Sequence, residues 1–407
     1  MLRRHMTSLG VWIVGAAGHV GSCTLIGWAA LRAGLVPPIG LATAAPPLSA
    51  LPLIGFAGAE RVVFGGHEIA AHSLADAGRA LAAEGILPAA VVDAPPVQEA
   101  IAAAQAERRP GVTVGSGAEL DRVWTELKDF RERHQLDRVI VLNVASTEAD
   151  PAGAAPPEDP KALFAALRGG LTIQPSSIYA AAALDQGFAY INFTPSVGAD
   201  LPALRALAIS RGAVHAGADG KTGQTLLKTV LAPMFAIRRL QVQSWVSHNI
   251  LGNEDGRALD DPGRLAAKQR SKNAPLASIL GYAPESKIGI DYVPSYGDWK
   301  LAWDRIVFAG FGGAQMSLEL TWRGSDTALA APLCIDLIRL VELAQRRGEK
   351  GVLEHLGLFF KSPLGSTIGA AQEHRLETQW QALLDHLRPG DAIAEPGAAA
   401  GAGGSAA

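Results

Sequence analysis

The chain has 407 residues, of which 48% are hydrophobic and 18% charged, so it is long enough to bury the cores of two or three domains. Its formal net charge of −3 supplies no basic field for nucleic acid, which argues against a nucleic-acid partner. The two cysteines, Cys23 and Cys334, form neither a disulfide framework nor a metal-ligand pattern, and a cytoplasmic protein is therefore expected.

The N-terminal pattern is typical of the opening of a dinucleotide fold. Residues 11–14 are a short β-rich run, a glycine loop follows, and residues 22–33 have helical spacing. The run from Leu2 resembles a signal peptide, but no small-residue cleavage pattern follows it, so secretion is not expected. Residues 33–59 carry no charge, yet their prolines would interrupt a membrane helix, and no membrane association is predicted.

Helix and strand signals then alternate along the chain. Helices are predicted over residues 68–85, 95–108, 120–134 and 178–186, after Lys221, and over 331–347, and strands over 138–144, 188–193, 240–247, 288–293, 305–308 and 315–322. The alternation in the first half predicts parallel strands joined by crossover helices. The run of strands after residue 288 predicts a second sheet.

The glycine loop is the first candidate site. Its glycines recur every three residues, which permits a tight turn and the close approach of a diphosphate to the N-terminus of the following helix. The residues expected to bind cofactor here are Gly15, Gly18, His19, Val20, Gly21 and Ser22. An ordinary strand-to-helix turn has the same pattern. Ser146 and Thr147, at the end of a predicted parallel strand, would also meet the cofactor.

The type of dinucleotide follows from what surrounds this loop. The acidic residue usual about twenty positions later is absent from the sequence, and no arginine is placed to receive a 2′-phosphate. NAD is therefore favoured over NADP.

Polar blocks with a lysine follow at intervals through the second half. They are Gly-Ala-Asp-Gly-Lys-Thr-Gly-Gln-Thr at 217–225, Ala-Lys-Gln-Arg-Ser-Lys at 267–272, Gly-Asp-Trp-Lys at 297–300 and Phe-Lys-Ser-Pro-Leu at 360–364, with the amide-rich run His-Asn-Ile-Leu-Gly-Asn-Glu-Asp-Gly at 248–256 among them. A single lysine is usually a solvated surface residue. Lysine in a glycine- or serine-rich loop, however, suits a phosphate or a developing oxyanion, because its ammonium is a compact charge with three donors.

In this order the blocks resemble those of the myo-inositol-phosphate synthase family, GxDxKSGxT, NxLGNxDG, SKxxSK, GDxK and LKxPL, over roughly residues 10–390. The resemblance implies that the catalytic residues are Lys268, Lys300, Lys361, Asp219 and Asp336, with Asp219 also near the cofactor. It implies that substrate is bound by Lys272, Thr222, Gly223, Asn249, Asn253, Asp255 and Asp298. Asp336 also suits a role in capping or dipole interactions at a helix start.

This chain departs from the family pattern at several positions. His19 and Val20 stand where the family has paired asparagines, Ala267 replaces the first serine of SKxxSK, and Thr222 replaces the serine after Lys221. The substitutions by Ala267 and Thr222 are mild. The change at His19 and Val20 affects the expected contacts to the cofactor diphosphate.

The activity implied by the resemblance is conversion of glucose 6-phosphate to 1D-myo-inositol 3-phosphate without net redox change. NAD takes hydride from C5, a base removes a proton from C6, the enolate attacks the C1 aldehyde, and the resulting ketone is reduced again. Ammonium groups near C5 and C1 would stabilise the oxyanions that develop there. A monovalent or divalent cation near the phosphate is compatible with this chemistry.

The positions of the blocks predict the architecture. We expect an α/β protein with a discontinuous Rossmann-type NAD-binding domain, residues 1–228 plus 340–393, and an inserted α+β catalytic and oligomerisation domain, residues 229–339. Residues 394–407, nearly all alanine and glycine, are predicted to be a disordered tail. The resemblance implies a homotetramer.

Three other functions fit part of the pattern. A sugar-phosphate dehydrogenase without the aldol step would leave the lysine blocks unexplained, and a Schiff-base aldolase would leave the glycine loop unexplained. A non-catalytic NAD-binding paralogue would be expected to lose at least one aligned lysine, and none is lost.

Overall fold

A computed structural model describes residues 8–56, 60–149, 155–252 and 275–388. Within these residues the chain forms two sheets. One is a parallel sheet with helices on both faces, and the other is a separate mixed sheet. The predicted α/β class is confirmed. Among the helices of the described ranges, none combines the length and the apolar surface that crossing a bilayer requires.

The first sheet has seven strands, and every neighbouring pair in it is parallel. The strands are β1 (Ser8–Val14), β2 (Arg61–Glu68), β3 (Arg108–Pro110), β4 (Arg138–Asn143), β5 (Ala189–Asn192), β6 (Val214–Gly217) and β11 (Gly351–Val352), in the spatial order β11-β6-β5-β4-β1-β2-β3. The central strands β1, β4 and β5 are almost entirely buried because helices cover both faces.

The helices that connect these strands lie on the two faces of the sheet. They are α1 (His19–Arg32), α2 (Leu74–Ala83), α3 (Ala89–Val92), α4 (Pro95–Ala106), α5 (Gly117–His134), α6 (Pro160–Arg168), α7 (Pro175–Asp185) and α8 (Pro202–Arg211). Helices α1, α2 and α4 share one apolar core, and α5 to α8 share the other. The chain crosses from one side of β1 to the other when it enters β4, and this switch point is where such folds bind dinucleotides.

The second sheet is inserted after helix α9 (Gln224–Ile237). Its strands are β7 (Gln241–Leu251), β8 (Glu285–Tyr292), β9 (Trp299–Ala309) and β10 (Gln315–Ser325), in the order β10-β9-β7-β8. Strands β7 and β8 are parallel, whereas β9 pairs antiparallel with both β7 and β10. A third, smaller core lies between one face of this sheet, α9 and the helical residues 275–280.

Two further helices return the chain to the first sheet. Helix α10 (Asp326–Arg346) packs along α1, and its residues 330–344 belong to the core of the first sheet. Helix α11 (Leu376–Leu387) packs on the 3-10 segment Glu354–Phe359 that follows β11. The domain boundary expected near residue 340 therefore falls inside α10, a helix that begins directly after the last strand of the second sheet.

The element predictions hold where the apolar pattern is long, and fail where it is short. Residues 61–68 are strand β2, for which no element was predicted, and the helix expected from residue 68 begins at Leu74, after a capping box between Ser73 and Asp76. The predicted tail, residues 394–407, lies outside the described residues.

Candidate active site

The loop between β1 and α1 has the shape required to cradle a diphosphate. Gly15 has a φ of +87°, and a side chain there would meet Ala145 at 2.9 Å. A Cβ at Gly21 would lie only 2.4 Å from the carbonyl oxygen of Gly15. Helix α1 starts at His19 with no side-chain cap and no acidic residue in its first turn, so its positive end suits an anion.

An acidic residue does stand at the end of β2, which corrects the expectation that this fold's usual carboxylate is missing. Glu68 Oε2 accepts a hydrogen bond from the backbone N–H of Ala17 in the glycine loop, at 2.7 Å. Its sequence position is far from the loop because residues 33–60 intervene between α1 and β2. A carboxylate in this place favours the ribose hydroxyls of NAD over the 2′-phosphate of NADP.

The loops after β4, β5 and β6 meet next to the glycine loop and line one cavity. It is lined by Val20, Val144, Ala145, Thr147, Phe193, Thr194, Pro195, Asp219, Gly220, Thr222, Gly223, Gln224, Thr225, Lys300, Asp326, Ala330 and Lys361. The cavity lies at the carboxyl edge of the parallel sheet, where α/β folds place their ligands. Of the predicted cofactor residues beyond the glycine loop, Thr147 and Asp219 reach this wall.

Two ammonium–carboxylate pairs face the cavity. Lys361 Nζ donates a hydrogen bond to Asp219 Oδ1 at 2.8 Å, and Lys300 Nζ donates one to Asp326 Oδ2 at 3.2 Å. The hydroxyl of Thr222 donates to the other oxygen of Asp326 at 3.3 Å. The lysine side chains are only 15% and 17% exposed, so their charges act in a largely desolvated pocket.

The backbone fixes the pair formed by Lys361. The N–H of Lys361 donates to the carbonyl of Asp219 at 2.6 Å, and the N–H of Ala218 donates to the carbonyl of Ser362 at 2.9 Å. The segment after β6 is thereby bonded to the segment after the 3-10 turn. Lysine and aspartate, 142 positions apart in sequence, are held opposite each other.

Helix α9 points its N-terminus into the same cavity. Gly223 is its N-cap, no side chain of the described residues caps it, and its first turn has no acidic residue. The hydroxyl of Thr225 is buried in this turn without a hydrogen-bond partner among the described residues. The backbone N–H groups of a helix start without a side-chain cap, beside this hydroxyl, are a ready site for a phosphate.

Asp326 is a site residue that the sequence interpretation missed, and Asp336 is one that it placed wrongly. Asp336 is fully buried further along the same helix, α10, where it accepts hydrogen bonds from the N–H groups of Ala42 and Thr43 at 2.7 and 3.1 Å. Burial raises the pKa of this carboxyl, and the same bonds to Thr43 oppose that shift. Asp336 therefore anchors a loop and does not touch the cavity. Ser325 caps α10 by accepting a hydrogen bond from the N–H of Ala328. A serine at such a position was the sequence signal for the helix start at Asp326.

Two predicted substrate residues lie behind the cavity wall. Asn249 is fully buried on β7 and donates to the side chain of Gln224 at 2.9 Å. Asp298 is buried beside α1, where it accepts a bond from the hydroxyl of Ser325 and lies 3.7 Å from His19. Neither side chain lines the cavity.

The other predicted residues divide into three groups. Ser22 directs its hydroxyl to the carbonyl of Gly18 at 2.8 Å, within α1, and Ser146 lies in the loop after β4 without lining the cavity. Lys221 is buried and donates to Gln379 on α11, and burial lowers its pKa to about 8. Lys268, Lys272, Asn253 and Asp255 lie outside the described residues.

A parallel sheet with a glycine-loop helix start at its switch point defines a dinucleotide-binding α/β enzyme, and the paired lysines add an anion-handling site to it. Comparison with known proteins identifies the family. The model of the myo-inositol-1-phosphate synthase family, an NAD-binding family, matches residues 9–388. The chain belongs to this family and uses NAD.

Individual relatives agree with this assignment. The chain is 32% identical to inositol-3-phosphate synthase 1 of Bacteroides thetaiotaomicron, over 93% of the chain and 95% of that protein. It is 32% identical to inositol-3-phosphate synthase of Spirodela polyrhiza over 74% of the chain, and 33% identical to that of Rattus norvegicus over 66%. The matched parts span 63% and 52% of those two longer proteins.

Solved structures share the fold. A myo-inositol-1-phosphate synthase-related protein from Thermotoga maritima superposes with a TM-score of 0.74 and 25% identity, covering 94% of this chain and 98% of that one. Inositol-3-phosphate synthase from Caenorhabditis elegans superposes with a TM-score of 0.78 at 21% identity, covering 93% and 85%. The predicted Rossmann-type fold is confirmed.

Proposed function

We propose that the chain converts D-glucose 6-phosphate to 1D-myo-inositol 3-phosphate, an isomerisation with no net redox change. The observation that carries the proposal is the pair of lysines, Lys300 and Lys361, beside the N-terminus of α9 and next to the glycine loop. A dehydrogenase needs a cofactor and one acid–base group. Two desolvated ammonium groups in one cavity suit a reaction in which oxyanions form at more than one carbon.

The residues around the glycine loop fit NAD. Gly15 and Gly21 permit the tight turn that leads into the N-terminus of α1, where a diphosphate would bind, and Glu68 is at the end of β2, where such folds place the carboxylate for the adenosine ribose. NAD held there would supply the reversible hydride acceptor that the reaction needs at C5 of the open-chain sugar. Asp219, by bonding Lys361, orients the ammonium in the cavity.

The phosphate is assigned to the N-terminus of α9. Gly223 and the residues after it present backbone N–H groups, and the hydroxyl of Thr225 adds a donor. The hydroxyl of Thr222, which donates to Asp326 here, would turn its one donor to the phosphate. From the sequence we assign Lys272 to the same phosphate. These groups hold a dianion without an acid–base role, so they should contribute to binding in the ground state.

Lys300 and Lys361 are assigned to the charge that appears after C5 is oxidised. Removal of a C6 proton places an oxyanion on C5, and ring closure places a second oxyanion on C1. An ammonium has three donors, so each lysine keeps donors for the substrate while bonded to Asp219 or Asp326. From the sequence we assign Lys268 to proton transfer at the C5 hydroxyl.

We further propose a cytoplasmic homotetramer. Helix α9 carries the exposed apolar residues Val230, Met234 and Ile237 at the spacing of one helix face. Phe311, in the turn between β9 and β10, is fully exposed. Exposed apolar side chains of this size on the inserted domain are typical of a surface covered by another subunit.

The assignment is tested by incubating the purified protein with glucose 6-phosphate and NAD and identifying the sugar phosphate by NMR. A cyclic inositol phosphate is expected. Release of an oxidised sugar phosphate together with an equal amount of reduced cofactor would instead show a dehydrogenase without the aldol step. Lys350→Ala, a change at an exposed lysine outside the cavity, is the matched control and should leave the product unchanged.

A further inference from the structure

His19 occupies the first position of α1, directly after the glycine loop, and its ring faces two carboxylates from other parts of the chain. Its Nδ1 lies 3.7 Å from Asp298 Oδ1, and its Nε2 lies 3.9 Å from Glu84 Oε1. The side chain is about one-third exposed, at 32%. Each ring nitrogen therefore lies within ion-pair distance of a carboxylate, an arrangement that favours the doubly protonated imidazolium.

The two carboxylates belong to different elements. Glu84 is the C-cap of α2, and Asp298 lies in the turn before β9, in the second sheet. These segments also bond each other, because the N–H of Asp298 donates to Glu84 at 3.1 Å and the indole of Trp299 donates to the Glu84 carbonyl at 2.8 Å. Lys300 follows immediately and lines the cavity. His19 thus lies where the cofactor loop, α2 and the lysine-bearing strand meet.

Other titratable groups near the loop do not offset this pair. Glu68 and His72 both contact Ala17, through its N–H at 2.7 Å and its carbonyl at 3.0 Å. Cys23, one turn further along α1, has its pKa raised to about 12 by burial and stays neutral. The positive end of α1 disfavours a cation at His19, and the two carboxylates act in the opposite direction. The proximity of Asp298 is the main cause that raises the His19 pKa, burial opposes it, and the charge of Glu84 adds to the rise.

We propose that His19 is a positioning residue whose imidazolium joins the cofactor loop to the Asp298–Lys300 segment and makes NAD binding depend on pH. The inference rests on the proposed use of the loop for the NAD diphosphate. A cation next to that diphosphate strengthens its binding, and the same cation fixes Asp298 only while the ring is protonated. Asparagine at this position would keep a polar contact but supply no charge.

The sign of the pH effect follows from the direction of the pKa shift. His19 has a raised pKa in the folded protein, so the charged form is present at low pH and is lost as pH rises through the folded pKa. A bound diphosphate favours the same charged form. The affinity for NAD should therefore be highest at low pH and should fall over the interval above the ordinary histidine pKa.

The test is the dissociation constant of NAD measured by titration calorimetry from about pH 6 to about pH 9, without substrate. For the natural protein we expect a loss of affinity of about tenfold across this range, the size of one charge-assisted contact. His19→Asn should bind NAD weakly at every pH, with an affinity that does not change with pH and equals that of the natural protein at high pH. Glu84→Gln should keep the loss but move its midpoint to lower pH.

A histidine elsewhere provides the matched control. His248 is exposed on β7 and pairs with Asp291 at 2.7 Å, away from the glycine loop, so His248→Asn should keep the natural profile. Amide hydrogen exchange gives a second readout. NAD should protect residues 297–300 in the natural protein and protect them less in His19→Asn.

The outcomes separate this inference from the function on which it rests. An NAD affinity that is independent of pH in the natural protein, or a His19→Asn profile identical to it, would overturn the role of His19 while leaving NAD binding intact. Failure of every variant and of the natural protein to bind NAD at any pH would overturn the cofactor site itself, and this inference with it.

Discussion

Among the described residues, Lys361 is bonded to Asp219 and Lys300 to Asp326, and this pairing explains how a mobile side chain is held in a defined position. A lysine loses rotamer freedom when it is fixed, and the hydrogen bonds to Asp219 and Asp326 offset that loss before substrate arrives. The ammonium then needs little reorganisation when an oxyanion forms.

Lys361→Ala should separate oxidation from ring closure. Lys361 is assigned to charge that develops after hydride has left C5, so the first hydride transfer should survive in the variant. Loss of one preorganised oxyanion donor typically lowers turnover about a hundred- to a thousand-fold. In a single turnover followed by stopped-flow absorbance, bound reduced nicotinamide should accumulate while inositol phosphate fails to form. If the variant binds substrate but forms no reduced nicotinamide, Lys361 belongs to the oxidation step.

For single residues, the sequence predicts which residue types belong to the site better than it predicts which residues they bond to. The lysines of the polar blocks were recognisable because the chain otherwise favours arginine. Of the three that are described, Lys300 and Lys361 line the cavity, whereas Lys221 is buried against Gln379. Asp326 was missed because its partners Lys300 and Thr222 are 26 and 104 positions away, and the serine cap before it indicates a helix start and no contact to the site. Asp336 was assigned to the site because a carboxylate in an apolar sequence indicates that it has a buried partner. The sequence does not show whether that partner is a substrate or, as here, a loop of the protein.

Helix α10 has two separate tasks along its length. Its N-terminus presents Asp326 to the cavity, and its middle fixes the loop that precedes β2. Arg339 extends this anchor, since its Nε donates to the carbonyl of Ile54 at 3.0 Å and its Nη1 donates to the hydroxyl of Thr43. The described part of the uncharged segment, residues 33–56, is thereby held at Ala42, Thr43 and Ile54.

Asp336→Asn and Asp326→Asn should therefore have opposite effects. Asp336→Asn leaves Arg339 and two buried N–H groups poorly paired, and should lower the free energy of unfolding by about 3 kcal/mol. Its turnover per folded molecule should be unchanged. Asp326→Asn should retain stability, since that carboxylate is one-third exposed at 34%, but should lose turnover. Denaturant unfolding and steady-state kinetics on both variants test these expectations. A loss of turnover in folded Asp336→Asn would show that Asp336 contributes to catalysis.

The elements themselves divide by length. The long apolar strand β4 and the amphipathic helix α5 were predicted within a few residues, because each has a clear period. Strand β6 has four residues and β11 two, too few to show any period, and both owe their existence to pairing within the sheet. Missing β2 also concealed Glu68, so the error in one element removed a site residue.

The whole molecule places one cavity where the parallel sheet meets the inserted sheet. The first sheet supplies the glycine loop, Asp219 and Lys361, and the second supplies Lys300 on β9. The order of the blocks in the sequence predicts a discontinuous first domain. It did not show that α10 as a whole returns to the first core, because a buried helix fits either domain until its neighbours are known.

Assembly should be visible in solution. The exposed apolar face of α9 and the exposed Phe311 predict a homotetramer. Multi-angle light scattering at micromolar concentration should give about four times the chain mass of 42.3 kDa. Met234→Lys, which places a charge on this face, should shift the mass downward without changing the far-ultraviolet circular dichroism. A natural protein that elutes at the mass of one chain contradicts the proposal.

The central claim is that a hydride leaves C5 and returns to the same molecule. It is tested most directly with glucose 6-phosphate carrying deuterium at C5, in excess over unlabelled NAD, with the product and the cofactor examined by NMR and mass spectrometry. We expect many turnovers, inositol phosphate that retains one deuterium, and no accumulation of labelled reduced cofactor. Deuterium collecting in reduced cofactor in step with sugar consumption would contradict the account.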